Sequence, residues 1–98
     1  MDINKIKNAA NMTLRISGRI DTVTSLILEN ELKNSFDSCN DMVLDLADVV
    51  YISSAGLRVL LSAHKVMSKK GGMKVVNVNE IVNEVFDVTG FADILDIE

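Results

Sequence analysis

The 98-residue sequence predicts an α/β fold, a small mixed, mostly parallel β-sheet with helices packed mainly on one face. Three observations carry that prediction. Met12, Leu14 and Ile16 alternate with Thr13, Arg15 and Ser17, the period of a strand with one buried and one wet face. A segment of one helix length separates this strand from the apolar run Met42–Leu46, so the two strands should lie parallel, joined by a right-handed crossover. A second helical segment then leads to another strand signal at Met73–Val78. The length suits one domain spanning 1–98.

Taken in order, Ile3 and Ile6 among polar residues give an edge-strand signal over residues 2–8, and Asn8-Ala9-Ala10-Asn11 supplies turn chemistry for a hairpin. The alternating strand follows, and Gly18-Arg19-Ile20-Asp21 turns the chain out of it. Thr24 is the expected N-cap of the first helix, with Val23 and Leu28 placed for a hydrophobic staple. Leu28, Leu32 and Phe36 form the buried stripe, Cys39 continues it, and Leu26 and Ile27 lie off it, expected half-buried under the neighbouring loop.

Asn40-Asp41 ends that helix and Met42–Leu46 forms the next strand. A loop leads to the serine pair Ser53-Ser54, and a helix runs from about Ala55 to Lys70. Arg58, Ser62, Lys65 and Lys69 fall in a narrow polar arc, so the rest of this helix should be buried. Lys69-Lys70-Gly71-Gly72 closes it, with cations at the carbonyl end and glycine for a left-handed residue. After the strand at Met73–Val78, Asn79 caps a shorter helix carrying Ile81, Val82, Val85 and Phe86, which stops at Thr89-Gly90. Phe91–Ile97 is expected to add a last short strand.

Composition narrows the function. Hydrophobic residues make up 48% of the chain and aromatics only 4%, so Leu, Ile, Val and Met must fill the core. The net charge of −4 and the scattered basic residues leave no footprint for nucleic acid. No apolar run approaches the ~20 residues of a membrane helix, the first residues lack a signal-peptide core, and a lone Cys39 fits a reducing compartment. A cytoplasmic protein is expected. One His and one Cys cannot assemble a zinc site, and no glycine motif cradles phosphate, so neither metal nor cofactor is expected.

Ser54 and His64 raise the possibility of a small serine-dependent hydrolase. They stand ten positions apart on one predicted helix, about 15 Å along its axis, too far for a nucleophile and its base. Asp21 follows a strand end, where parallel sheets gather functional loops, but an Asx turn before the Thr24 cap is the favoured reading of it. Asp45 could face solvent or cap a turn. Ser54 has two compatible readings. It can cap its helix, and it can offer an accessible hydroxyl at a helix N-terminus, where an anion is favoured.

Ile52-Ser53-Ser54-Ala55-Gly56-Leu57, with Gly18-Arg19-Ile20-Asp21 and Lys70-Gly71-Gly72, resembles the STAS family over nearly the whole chain. Its members include domains of sulfate transporters and bacterial anti-sigma factor antagonists, and the length is that of a free-standing antagonist. The resemblance implies the STAS-like α/β fold and an anti-anti-sigma factor, a regulatory protein and not an enzyme. Unphosphorylated, it would bind a serine-kinase anti-sigma factor; phosphorylation of Ser54 would end that binding. Many members carry Asp immediately before the modified serine. Ser53 stands there in this chain and becomes a rival acceptor. The implied partner surface comprises Asp21, Ser53, Ser54, Ala55, Gly56 and Arg58 on a monomer, and a serine phosphatase is a further implied partner. The alternative within the family is an interaction module of another signalling or transporter-associated complex.

Overall fold

A computed structural model describes residues 1–98. In chain order the elements are β1 (Asp2–Asn8), β2 (Asn11–Ile20), α1 (Thr24–Ser35), β3 (Asp41–Ile52), α2 (Ser54–Met67), β4 (Met73–Val76), α3 (Glu80–Thr89) and β5 (Asp96–Ile97). The five strands form one sheet in sequence order; β1 is antiparallel to β2, and every later pair is parallel. The mixed, mostly parallel sheet predicted from sequence is therefore present.

The core lies on one face of that sheet. Met12, Leu14 and Ile16 of β2, Met42, Leu44 and Leu46 of β3, and Met73 and Val75 of β4 are all buried. Their intervening neighbours Thr13, Arg15, Val43, Asp45 and Lys74 are exposed or half-buried. Leu28 and Leu32 of α1, Leu57, Val59, Leu60, Ala63 and Met67 of α2, and Val82 and Phe86 of α3 pack onto the buried set. With strands in sequence order and right-handed crossovers, successive helices are carried to the same side. Ser25 and Ser35 are buried on α1 without penalty, because their hydroxyls donate to the Thr22 and Glu31 carbonyls at 2.9 and 2.7 Å.

Several boundaries differ from the sequence expectation, and β3 differs most. It continues six residues beyond Leu46, through the stretch expected to be a loop. Arg15 pairs with Asp45 but Ser17 with Asp48, and Gly18 pairs with Val49 but Arg19 with Tyr51. At each irregularity β3 carries one residue more than β2, a bulge that shifts its inward face. The buried positions accordingly run Met42, Leu44, Leu46, Val49, Ile52, passing from a spacing of two to a spacing of three. Gly18-Arg19-Ile20 also stays in β2 instead of turning out of the sheet.

The helices show smaller shifts. Helix α1 ends at Ser35, so Phe36 begins a short 3-10 turn and is only partly buried; Cys39 is buried but has extended backbone. Helix α2 ends at Met67, not near Lys70, and Gly72 takes the left-handed conformation. Its polar arc of Arg58, Ser62, Lys65 and Lys69 is exposed as expected, but so is Val66. Asn79 caps α3 as predicted, and Gly90 ends it with φ of 82°. The Phe91–Ile97 segment is mostly turn, and only Asp96–Ile97 pairs with β4.

The approach of α2 to the sheet depends on Gly56. A Cβ there would lie 2.7 Å from Ile20 Cγ2 and 2.9 Å from Ile52 Cγ1, both on side chains locked in the core. Gly56→Ala should therefore lower stability by about 1–3 kcal/mol in denaturant unfolding, despite alanine's better helix propensity. An unchanged midpoint would show that α2 has room to move.

Candidate functional site

The parallel strands end along one edge of the sheet, which gathers the loops that follow them. Asp21 follows β2, Ser53 follows β3, and Asn79 follows β4 beyond a short turn. The Ser53 N–H donates to the Ile20 carbonyl at 2.8 Å, so the β2 and β3 exits are joined directly. The Asn79 side-chain amide donates to the Val49 carbonyl, while its oxygen accepts from the Val82 N–H at 3.0 Å.

Because extended backbone persists through Ser53, Ser54 is the first residue of α2. Ser53 is the cap: its hydroxyl accepts from the Gly56 N–H at 3.2 Å. The capping role expected of Ser54 thus falls one residue earlier. Ser54 is exposed, and its hydroxyl takes part in no hydrogen bond within the chain. Ala55 is half-buried, and Arg58 is exposed one turn after Ser54 on the same side of α2. Gly56 is buried against Ile20 and Ile52.

Asp21 makes a tight local network. Its Oδ1 accepts from the Val23 N–H at 3.0 Å and the Thr24 N–H at 2.9 Å, the Asx geometry that opens α1. Thr24 is therefore not the cap; it is the first helical residue, and its oxygen accepts from the Asp21 N–H at 2.8 Å. The single Thr24 hydroxyl proton has both the Arg19 carbonyl at 2.7 Å and Asp21 Oδ1 at 3.0 Å within reach. Hydrogen bonds from the Thr24 N–H and hydroxyl, then from the Val23 N–H, with the Arg19 charge nearby, hold the Asp21 carboxyl below its usual pKa against opposing desolvation.

Around these groups lies an apolar rim that sequence reasoning missed. Leu26 and Ile27, expected half-buried, are 62% and 51% exposed, and Val23 is too exposed to form a staple. Val50 and Tyr51 at the end of β3 are exposed as well. The Arg19 guanidinium sits 4.2 Å from the Tyr51 ring centroid, and Thr24 bonds the Arg19 backbone, linking the start of α1 to the end of β3. The available signal was the position of Leu26 and Ile27 off the buried stripe. The Arg19–Tyr51 pair becomes legible only once β3 is extended through its bulges.

Other chemistry is thinly supported. Ser54 and His64 lie on the same helix, and the buried His64 Nδ1 has no hydrogen-bond partner. Burial pushes the Cys39 thiol pKa up, disfavouring a reactive thiolate. No group of three His, Cys, Asp or Glu side chains could hold a metal ion, and no helix is long and apolar enough to cross a membrane.

Comparison with known proteins gives a match to the STAS domain model over residues 1–98. The chain is similar to the anti-sigma-B factor antagonist of Bacillus subtilis (strain 168), 32% identical over 98 residues, covering 99% of this chain and 90% of that protein. It is also 32% identical over 89 residues to the anti-sigma F factor antagonist of Paenibacillus polymyxa, covering 88% of this chain and 76% of that protein. The solved structure of an anti-sigma factor antagonist from Mycobacterium paratuberculosis matches with a TM-score of 0.89 at 25% identity, covering 98% of this chain and 83% of that one.

Two predictions follow from the geometry at the strand ends. Ser53→Ala should cost about 1 kcal/mol through loss of the cap, while Ser54→Ala, whose hydroxyl bonds nothing in the chain, should change stability by less than half that. Equal losses in thermal unfolding would reject the assignment of the cap to Ser53.

The second concerns pH. The folded-state pKa of Asp21 is lowered, so its stabilising contribution is complete above its unfolded value of about 4 and is lost as pH falls through the folded value. The difference in Tm between the parent chain and Asp21→Asn should therefore be constant near neutrality and shrink in acid. A difference that widens in acid would contradict the sign.

Proposed function

This chain belongs to the STAS domain family, and on that premise we propose that it is an anti-sigma factor antagonist working as a partner switch. In its unmodified state it binds an anti-sigma factor that is a serine kinase, and so frees the sigma factor. Phosphorylation of Ser54 by that kinase ends the binding, and a serine phosphatase restores it. The protein acts as a monomer in the cytoplasm and catalyses nothing itself.

The observation that carries the reading is the division between the two serines. Ser53 has its hydroxyl engaged with the helix backbone, while Ser54 is exposed with its hydroxyl free. This supports Ser54 as the acceptor over Ser53. Transfer moves the terminal phosphoryl group of ATP to Ser54 Oγ, which loses its proton, and ADP leaves.

The switch is local electrostatics. A phosphate adds about −1.5 to −2 charges to an edge that already carries the Asp21 carboxylate. The exposed apolar rim of Leu26, Ile27, Val50 and Tyr51 supports a protein-binding face there. A contact fitted to a neutral hydroxyl beside such a rim would then desolvate a dianion and bring like charges together. The same phosphate stands at the start of a helix, where the backbone favours an anion, so the fold survives modification. Binding is lost without unfolding.

Phosphopeptide mapping after incubation with the cognate kinase and ATP should locate the group on Ser54. Titration against that kinase should show Ser54→Ala binding like the parent and resisting ATP-driven release. Ser54→Asp should bind more weakly, by roughly tenfold or more, with an unchanged circular dichroism spectrum. Equal affinity of the alanine and aspartate variants would remove phosphorylation as the gate.

A further inference from the structure

A second surface, outside the strand-end site, stands on α3. Val82 and Phe86 of this helix are buried, yet Ile81 is 61% and Val88 80% exposed. With half-buried Val85 they repeat at i, i+4 and i+7, a second apolar stripe about 10 Å long that nothing in the chain covers. At 100° per residue, Glu80, Glu84 and Asp87 fall along one flank of the stripe, while the core-facing residues fall along the other.

The charge around this stripe is one-sided. From Val75 to Glu98 the chain holds six of its fourteen carboxylates and none of its ten Lys and Arg residues. Only Glu98 among the six has an ion-pair partner, Lys74 at 3.5 Å. Such a surface repels nucleic acid and anionic lipid. A second copy packed symmetrically on it would set the same acids face to face. What complements it is an amphipathic helix with a matching apolar stripe and a basic flank.

We infer that the outer face of α3 is a docking site for a cationic amphipathic helix of another protein. Ile81 and Val88 enter the partner's apolar stripe, and Glu84 and Asp87 meet its lysines or arginines. This contact is separate from the phosphorylation-gated one and does not depend on the state of Ser54.

The test uses the full chain and a fluorescently labelled helical peptide with leucines on one face and lysines beside them; a control peptide has glutamates for the lysines. Anisotropy should show saturable binding of the cationic peptide and none of the control. Ile81→Ser/Val88→Ser should weaken binding roughly tenfold. Glu84→Gln/Asp87→Asn should weaken it and flatten its salt dependence. Ser54→Asp should leave it unchanged, which separates this surface from the switch. All four substituted α3 side chains are exposed, and circular dichroism should confirm folding. Equal binding to either α3 variant, binding of the glutamate peptide, or loss of binding in Ser54→Asp overturns the proposal. So does a dimer, seen by light scattering, that Ile81→Ser/Val88→Ser dissolves, since the occupant would then be a second copy.

Discussion

Ile20 and Ile52 meet the backbone of Gly56 at a distance that leaves no room for a methyl group. That contact fixes how closely the start of α2 lies against the ends of β2 and β3. The Ser53 N–H to Ile20 carbonyl bond fixes the same junction from the backbone side. Three consequences share this one constraint: where extended structure stops, which serine caps the helix, and which serine stands clear of it. The change from extended to helical backbone between Ser53 and Ser54 is what makes the two adjacent side chains chemically different.

The strand-end site holds its carboxylate by ordinary local turn geometry. Asp21 spends its hydrogen-bonding capacity on Val23 and Thr24, which keeps it ionised and pointed at its own turn. The resemblance to the STAS family sets an aspartate where this chain has Ser53. Both residue types are good N-caps, since each places an oxygen where the first helical turn needs an acceptor. Ser53 can therefore preserve the local fold without placing a negative charge beside Ser54, while Asp21 carries one on the loop after β2.

Much of the architecture was legible because its signals are local. The alternation at Met12–Ser17, the single-helix spacing between strands and the Asn79 cap each depend on a few neighbouring residues. The end of β3 was not legible for a definite reason. Two bulges replace a period of two by a period of three, so Val49 and Ile52 face inward where simple alternation would not put them. Thr24 and Ser54 differ from expectation in the same way. Each is a plausible capping side chain, but a residue just before it accepts the first-turn N–H bond, Asp21 in the Asx turn and Ser53 at the extended strand end. Exposure of Leu26 and Ile27 is not legible in the sequence, because the preference of apolar side chains for cover is a one-way rule.

Tyr51 is the only tyrosine in a chain that contains no tryptophan. It stands on the rim of the strand-end site with the Arg19 guanidinium 4.2 Å from its ring centroid. The molecule thus carries one long-wavelength intrinsic fluorophore, three residues before the candidate phosphoacceptor. Beyond the wavelengths that the three phenylalanines absorb, its absorption and emission report on that rim, with no contribution from the core. A partner without tryptophan or tyrosine could be followed onto the protein with no label attached, and the optical change would describe the environment of this single ring.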